Sequence, residues 1–138
     1  VAEVIAIHKN DLDKWWPISK PFIGKALSKG YGEMDIDDAY FMIKDQDGIL
    51  LLILVGDIVA TAGIITIVDK PALREMLVLL VGGTQIDEWI SDIMKTIDIL
   101  ANETQSDIIS VHGRRGWVKK LNEYSYEEAY TTVIKRVT

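Results

Sequence analysis

The chain has 138 residues, 49% of them hydrophobic, and a formal net charge of −6. That length and apolar content suit one domain over residues 1–138 with an ample core. The acidic balance argues against a general nucleic-acid or anionic-membrane binder, and the lack of any cysteine rules out a disulfide framework, a thiolate nucleophile or a cysteine metal site.

Residues 1–7 alternate weakly and predict a first strand. Asn10 or Asp11 then caps a helix carrying Leu12, Trp15, Trp16, Ile18, Phe22, Ile23, Ala26 and Leu27. Pro17 and Pro21 are expected to break or kink it. Residues 34–44 predict a second helix, with Ile36, Ala39, Tyr40 and Ile43 on one face. Three strands follow, over residues 49–55, 58–68 and 72–81. The short turns Gly56-Asp57 and Asp69-Lys70-Pro71 make them antiparallel neighbours, and Gly63 marks a bulge or a close approach. Residues 85–104 predict a long helix whose apolar stripe is Ile86, Trp89, Ile90, Ile93, Ile97 and Leu100. Residues 107–112 form the next strand, parallel to the one before the helix. A short helix over 114–123 and a last strand over 129–137 complete the order β-α-α-β-β-β-α-β-α-β. The longest apolar run, residues 49–55, falls far short of the roughly 20 residues of a membrane span. No basic leader precedes the first strand. The expectation is a soluble, cytoplasmic chain.

This order resembles that of the GNAT N-acetyltransferases. Residues 48–63 resemble that family's second and third strands, and residues 73–104 its cofactor-binding strand, loop and helix. Two C-terminal stretches resemble small GNAT-like proteins of tailed phages. These are Gly113-Arg114-Arg115-Gly116-Trp117-Val118-Lys119-Lys120-Leu121 and Tyr130-Thr131-Thr132-Val133-Ile134-Lys135. The resemblance implies a single α/β (α+β) domain with a mixed, mostly antiparallel sheet flanked by helices. It implies acetyl-CoA held between two splayed parallel strands. The pyrophosphate would lie on backbone amides of Val81, Gly82, Gly83, Thr84 and Gln85 at a helix start. It also implies an acid, often a tyrosine, that protonates the leaving thiolate.

The chain departs from the family pattern in two places. The stretch Val81-Gly82-Gly83-Thr84-Gln85-Ile86-Asp87 keeps two glycines of a longer phosphate loop, and Asp87 and Glu88 compete with a phosphate for the helix dipole. In the late motif, Leu121 stands in the place of the tyrosine and Trp117 in that of a small residue, leaving Tyr124 and Tyr126 as substitutes for the hydroxyl. His112 closes a strand beside the cleft and is a candidate base. Glu75, on the central strand, is a candidate acceptor-side base, on the opposite face from Arg74. Arg114 and Arg115 oppose the dipole of the helix they start, which points to an anionic ligand or partner surface. Trp117 either stacks on that ligand or packs against the sheet. Neither His8 nor His112 has a ligand-spaced partner, so no metal motif is read.

Two functions fit this sequence. One is an acyl-CoA-dependent N-acyltransferase with a small-molecule or protein amine as acceptor. The other is a non-catalytic phage virion or host-interaction protein on a GNAT scaffold, residing in the virion or in the infected cytoplasm.

Overall fold

The computed structural model describes residues 2–30, 32–46, 48–79, 86–112 and 116–137. Strand β2 (Ile49–Val55) is uniformly aliphatic because both of its faces are covered. Leu50, Leu51, Leu52 and Ile53 are all fully buried. It pairs antiparallel with β1 (Ala2–Ile7) and with β3 (Ile58–Asp69). β3 pairs antiparallel with β4 (Arg74–Leu79), and β4 pairs in parallel with β5 (Ile108–His112), giving the order β1-β2-β3-β4-β5. The two-residue turn between β2 and β3 uses Gly56 at φ +64°, the left-handed region that glycine enters without steric cost. The bulge in β3 falls at Ala60, where the register with β2 slips, while Gly63 pairs regularly with Leu51. The sequence expectation of a bulge at Gly63 is therefore corrected by three positions.

Helices cover both faces of the sheet. α1 (Leu12–Leu27) and α2 (Ile36–Asp45) lie on one face, where Leu12, Ile23, Ala39 and Ile43 join Leu50, Leu52, Ala62 and Ile64 in one core. α3 (Ile86–Glu103) lies on the other, where Trp89, Ile93 and Ile97 join Leu51, Ile53, Ile65, Met76 and Val78. α1 runs through both prolines, against the expected break. Asp13, Pro17 and Pro21 form an exposed i, i+4, i+8 row. The carbonyls that lose a donor to the two prolines, Asp13 and Pro17, therefore lie on the water side, and the buried face stays intact. α2 starts at a capping box. The Asp35 carboxylate accepts from the Asp38 amide at 2.8 Å, and the Asp38 carboxylate accepts from the Asp35 amide at 3.0 Å. Gly48 admits no side chain, since a Cβ there would come within 2.8 Å of the Met42 carbonyl oxygen.

After β5 comes α4 (Gly116–Leu121), closed by a 3₁₀ turn at Asn122–Tyr124. The strand expected over 129–137 does not form. Residues 127–137 are irregular and exposed along their whole length. The β-branched composition is there, but among the described residues no strand stands beside it.

Tyr126 packs half-buried against the α3-side core, and its hydroxyl is buried without a hydrogen-bond partner among the described residues. Burial, aided by the nearby Asp98 charge, pushes its pKa up to about 12. Tyr126→Phe keeps the ring and removes an unsatisfied polar atom, so unfolding free energy should rise by about 1 kcal/mol at neutral pH. The raised pKa supplies a second readout. Its stabilisation is fully present below the unfolded tyrosine value of about 10 and is lost as pH climbs through the folded value. Tyr126→Phe should remove that part of the alkaline loss. A phenylalanine variant that is less stable at neutral pH would mean the hydroxyl is satisfied.

Candidate functional site

The parallel register of β4 and β5 pairs Glu75 with Ile108, Leu77 with Ser110 and Leu79 with His112. Strand parity then divides the side chains between the two faces. Met76, Val78, Ile109 and Val111 join the α3-side core, whereas Glu75, Leu79, Ser110 and His112 belong to the α1 face. α1 and α2 pack mainly over β2 and β3, so the α1 face of β4 and β5 is only partly covered. Leu77, Leu79 and Ser110 are half-buried there and His112 is exposed.

Glu75 is the centre of this face. It is 7% exposed, one of three buried polar residues among those described. Its Oε2 accepts from Ser110 Oγ at 2.8 Å, and its Oε1 lies 3.0 Å from Lys70 Nζ. The Lys70 ammonium holds the Glu75 carboxyl below its usual value of 4.5, against the opposing effect of burial, and Ser110 and His112 add to the lowering. Glu75 is therefore an anion at neutral pH, with lone pairs left over for one more donor. Lys70 is raised in turn by the same pair, with a smaller contribution from Tyr130.

The structure brings Glu75 and His112 to one face and leaves Tyr124 off it. Tyr124 packs half-buried against the α3-side core, as do Trp117 and Tyr126. Leu121, in the family's tyrosine position, is 4% exposed in that same core. Trp117 thus packs against the sheet assembly. Lys120 forms an ion pair with Asp87, fastening α4 to the first turn of α3 and neutralising the carboxylate closest to that helix start. Val81, Gly82, Gly83, Thr84 and Gln85, and likewise Arg114 and Arg115, lie outside the described residues.

Two members of the site, Lys70 and Ser110, carry only a faint sequence signal. Ser110 shares strand parity with His112. Lys70 sits in what reads as a bare turn, and only the hairpin register, with Val68 opposite Glu75, brings its ammonium to the carboxylate. On the other face, Arg74 is a clamp. Its Nε donates to Asp69 at 2.7 Å and its Nη1 to the Thr104 carbonyl at 2.7 Å, while its backbone exchanges hydrogen bonds with Asp107. A shallow cavity of about 330 Å³ lies beside it, lined by Ile67, Asp69, Arg74, Glu103, Thr104 and Gln105. It is at the start of β4, away from the strand end where residues 80–85 follow, and Asp69 and the Thr104 carbonyl are already engaged by Arg74. Among the described residues no helix is long and apolar enough to cross a membrane, and no group of three or more histidine or acidic side chains gathers as a metal site.

No known family profile matches the sequence, and no curated protein matches it. Solved structures do. The chain is similar to a ribosomal-protein-alanine N-acetyltransferase from Brucella melitensis biovar Abortus 2308, with a TM-score of 0.69 and 16% identity over 100% of both chains. It is similar to a predicted acetyltransferase with acetyl-CoA from Clostridium acetobutylicum, with a TM-score of 0.70 and 10% identity over 99% of this chain and 97% of that one. It is also similar to a putative acetyl transferase from Pyrococcus furiosus, with a TM-score of 0.71 and 10% identity over 99% and 100%. At such identities the likeness is one of fold, and the fold is that of the GNAT acetyltransferases. It is a mixed α/β domain whose five-stranded, mostly antiparallel sheet is flanked by helices.

Proposed function

We propose that the chain is an acyl-CoA-dependent N-acyltransferase whose acceptor amine docks on the α1 face of β4 and β5. The observation that carries this reading is the buried Glu75 anion, placed on the one partly open face of the parallel strand pair with Ser110 and His112. Acetyl-CoA supplies an acyl thioester. The residues that would hold it are Val81, Gly82, Gly83, Thr84 and Gln85, ahead of α3. The local chemistry fits such a group, because Lys120 offsets Asp87 at the helix start, where a phosphate needs positive potential.

On this reading Glu75 is a counter-ion for the incoming ammonium, and its depressed pKa makes it a poor proton acceptor. Ser110 fixes one carboxylate oxygen, and Lys70 keeps the group ionised. Proton removal from the amine falls to His112, the exposed imidazole on the same face. A backbone amide of the Leu77–Leu80 stretch, free of the ladders with β3 and β5, would be needed to polarise the carbonyl of a bound acyl thioester. Tyr124, on the other side of the sheet, is the remaining candidate for protonating the thiolate.

A non-catalytic reading draws on a specific observation too. Leu121 is buried where the family carries its acid, and of the two tyrosines that pack against that core, Tyr126 has its hydroxyl buried and Tyr124 stands only at the rim. On that reading the scaffold would serve a partner, such as a phage or host protein. Titration calorimetry with acetyl-CoA and with free CoA separates the two. Micromolar binding that disappears in a folded Gly83→Asp variant is the expected result. Absence of binding at millimolar cofactor, or an unchanged affinity in that variant, would leave the scaffold reading standing.

A further inference from the structure

We propose that the acceptor is a free α-amino acid, its ammonium held by Glu75 and its carboxylate by Lys70. This assignment rests on the acyltransferase reading and narrows its acceptor to a zwitterion. Glu75 is the only buried charged residue among those described, on a strand face it shares with Leu77 and Leu79. Stability does not explain it. Burying a carboxylate is costly, a half-exposed partner returns little, and an apolar side chain in such a place is often the more stable choice. A charged ligand accounts for it.

The group that Glu75 already holds selects the ligand. Lys70 Nζ lies 3.0 Å from Glu75 Oε1, and the Lys70 side chain is 48% exposed. The two charges cancel. A lone ammonium approaching the pair meets a cation as near as an anion and gains little. An α-amino acid carries the complementary pair, with a single carbon between its nitrogen and its carboxylate. Its ammonium adds to Glu75 while its carboxylate adds to Lys70, giving four alternating charges in place of two. The hydrogen-bonding capacity allows this. A carboxylate has about four lone-pair sites, of which Ser110 Oγ occupies one on Oε2 and Lys70 one on Oε1. An ammonium has three donors, and the contact with Glu75 uses one.

The hairpin fixes where the cation starts. The Lys70 amide donates to the Leu73 carbonyl at 2.9 Å, and Pro71 restricts the backbone at the next residue. Arg74, the other cation of this connection, is held on the opposite face by Asp69 and the Thr104 carbonyl. A protein lysine or a peptide N-terminus has no carboxylate at the required spacing. The same charge pair therefore disfavours both.

The test compares free α-amino acids with their own α-carboxamides, which keep the ammonium and the side chain and lose the anion. With acetyl-CoA, the acids should be acetylated with kcat/KM at least about tenfold above the carboxamides, the scale of one charge-assisted hydrogen bond. Lys70→Glu should abolish that preference, whereas Lys70→Arg should retain it. Lys70 is at the surface, so both variants should keep the parent circular dichroism. A second readout needs no turnover. Ligand-observed NMR on the chain with free CoA should show the preferred amino acid bound and its carboxamide unbound, with binding lost in Lys70→Glu. Three results overturn the proposal and leave the acyltransferase reading standing. They are equal use of acids and carboxamides, a preference that survives Lys70→Glu, and acceptance of no α-amino acid by a chain that binds CoA. A chain that binds no CoA in calorimetry overturns both.

Discussion

Truncating Trp89 to alanine should lower the unfolding free energy by about 3–5 kcal/mol, read from denaturant titration at neutral pH. The indole is 0% exposed on the inner face of α3, in the core that includes Met76, Val78 and Ile93. Nothing smaller fills that volume, because packed interiors relax only partly around a deletion. Trp117→Ala should cost less, since Trp117 meets the same core at its rim, half-buried. A loss below about 1 kcal/mol at Trp89 would mean that α3 does not seat on the sheet through this residue.

Glu75→Gln tests the candidate site by two routes. If the carboxylate holds the acceptor ammonium, its amide should reduce kcat/KM for acyl transfer by about 10²-fold, the scale on which one preorganised electrostatic partner acts. The second route needs no substrate. Glu75 has a folded pKa below its ordinary value, so its contribution to stability is present above pH 4.5 and is lost as pH falls through the lower folded value. The amide does not titrate, and the acid limb of the stability profile should flatten accordingly. A variant with parent kcat/KM would remove Glu75 from the acceptor site. An unchanged acid limb would show that Lys70 does not hold the carboxylate down.

Much of this architecture is legible residue by residue. The run at 49–55 predicts a doubly covered strand and is one. The stripe through Trp89, Ile90, Ile93 and Ile97 predicts the buried face of α3, to which the structure adds Met94 and Ala101. The strand–helix–strand unit predicts the parallel pair. What local sequence cannot supply is the partner of each element. Thr131 to Val137 has strand composition, but a strand exists only against another strand, and among the described residues none stands beside it. Pro17 and Pro21 weigh against a continuous helix until their row is seen to face water. The Glu75 site shows the same limit. Parity predicts its face, whereas Lys70 reaches it only through the geometry of a hairpin, and the late motif that marks the Tyr126 hydroxyl as a substitute gives no sign of its burial.

The double coverage of β2 also bears on how this sequence can drift. Along a surface strand every second position tolerates polar exchange, so substitutions there accumulate one at a time. Leu50 and Leu52 face the α1 core and Leu51 and Ile53 the α3 core, all at 0% exposure. No position in that stretch offers a neutral polar step. Change along β2 is confined to trades among aliphatic side chains, each of which must be matched by the helix on its own side, so the two halves of the domain diverge independently across a strand that itself stays nearly fixed in volume.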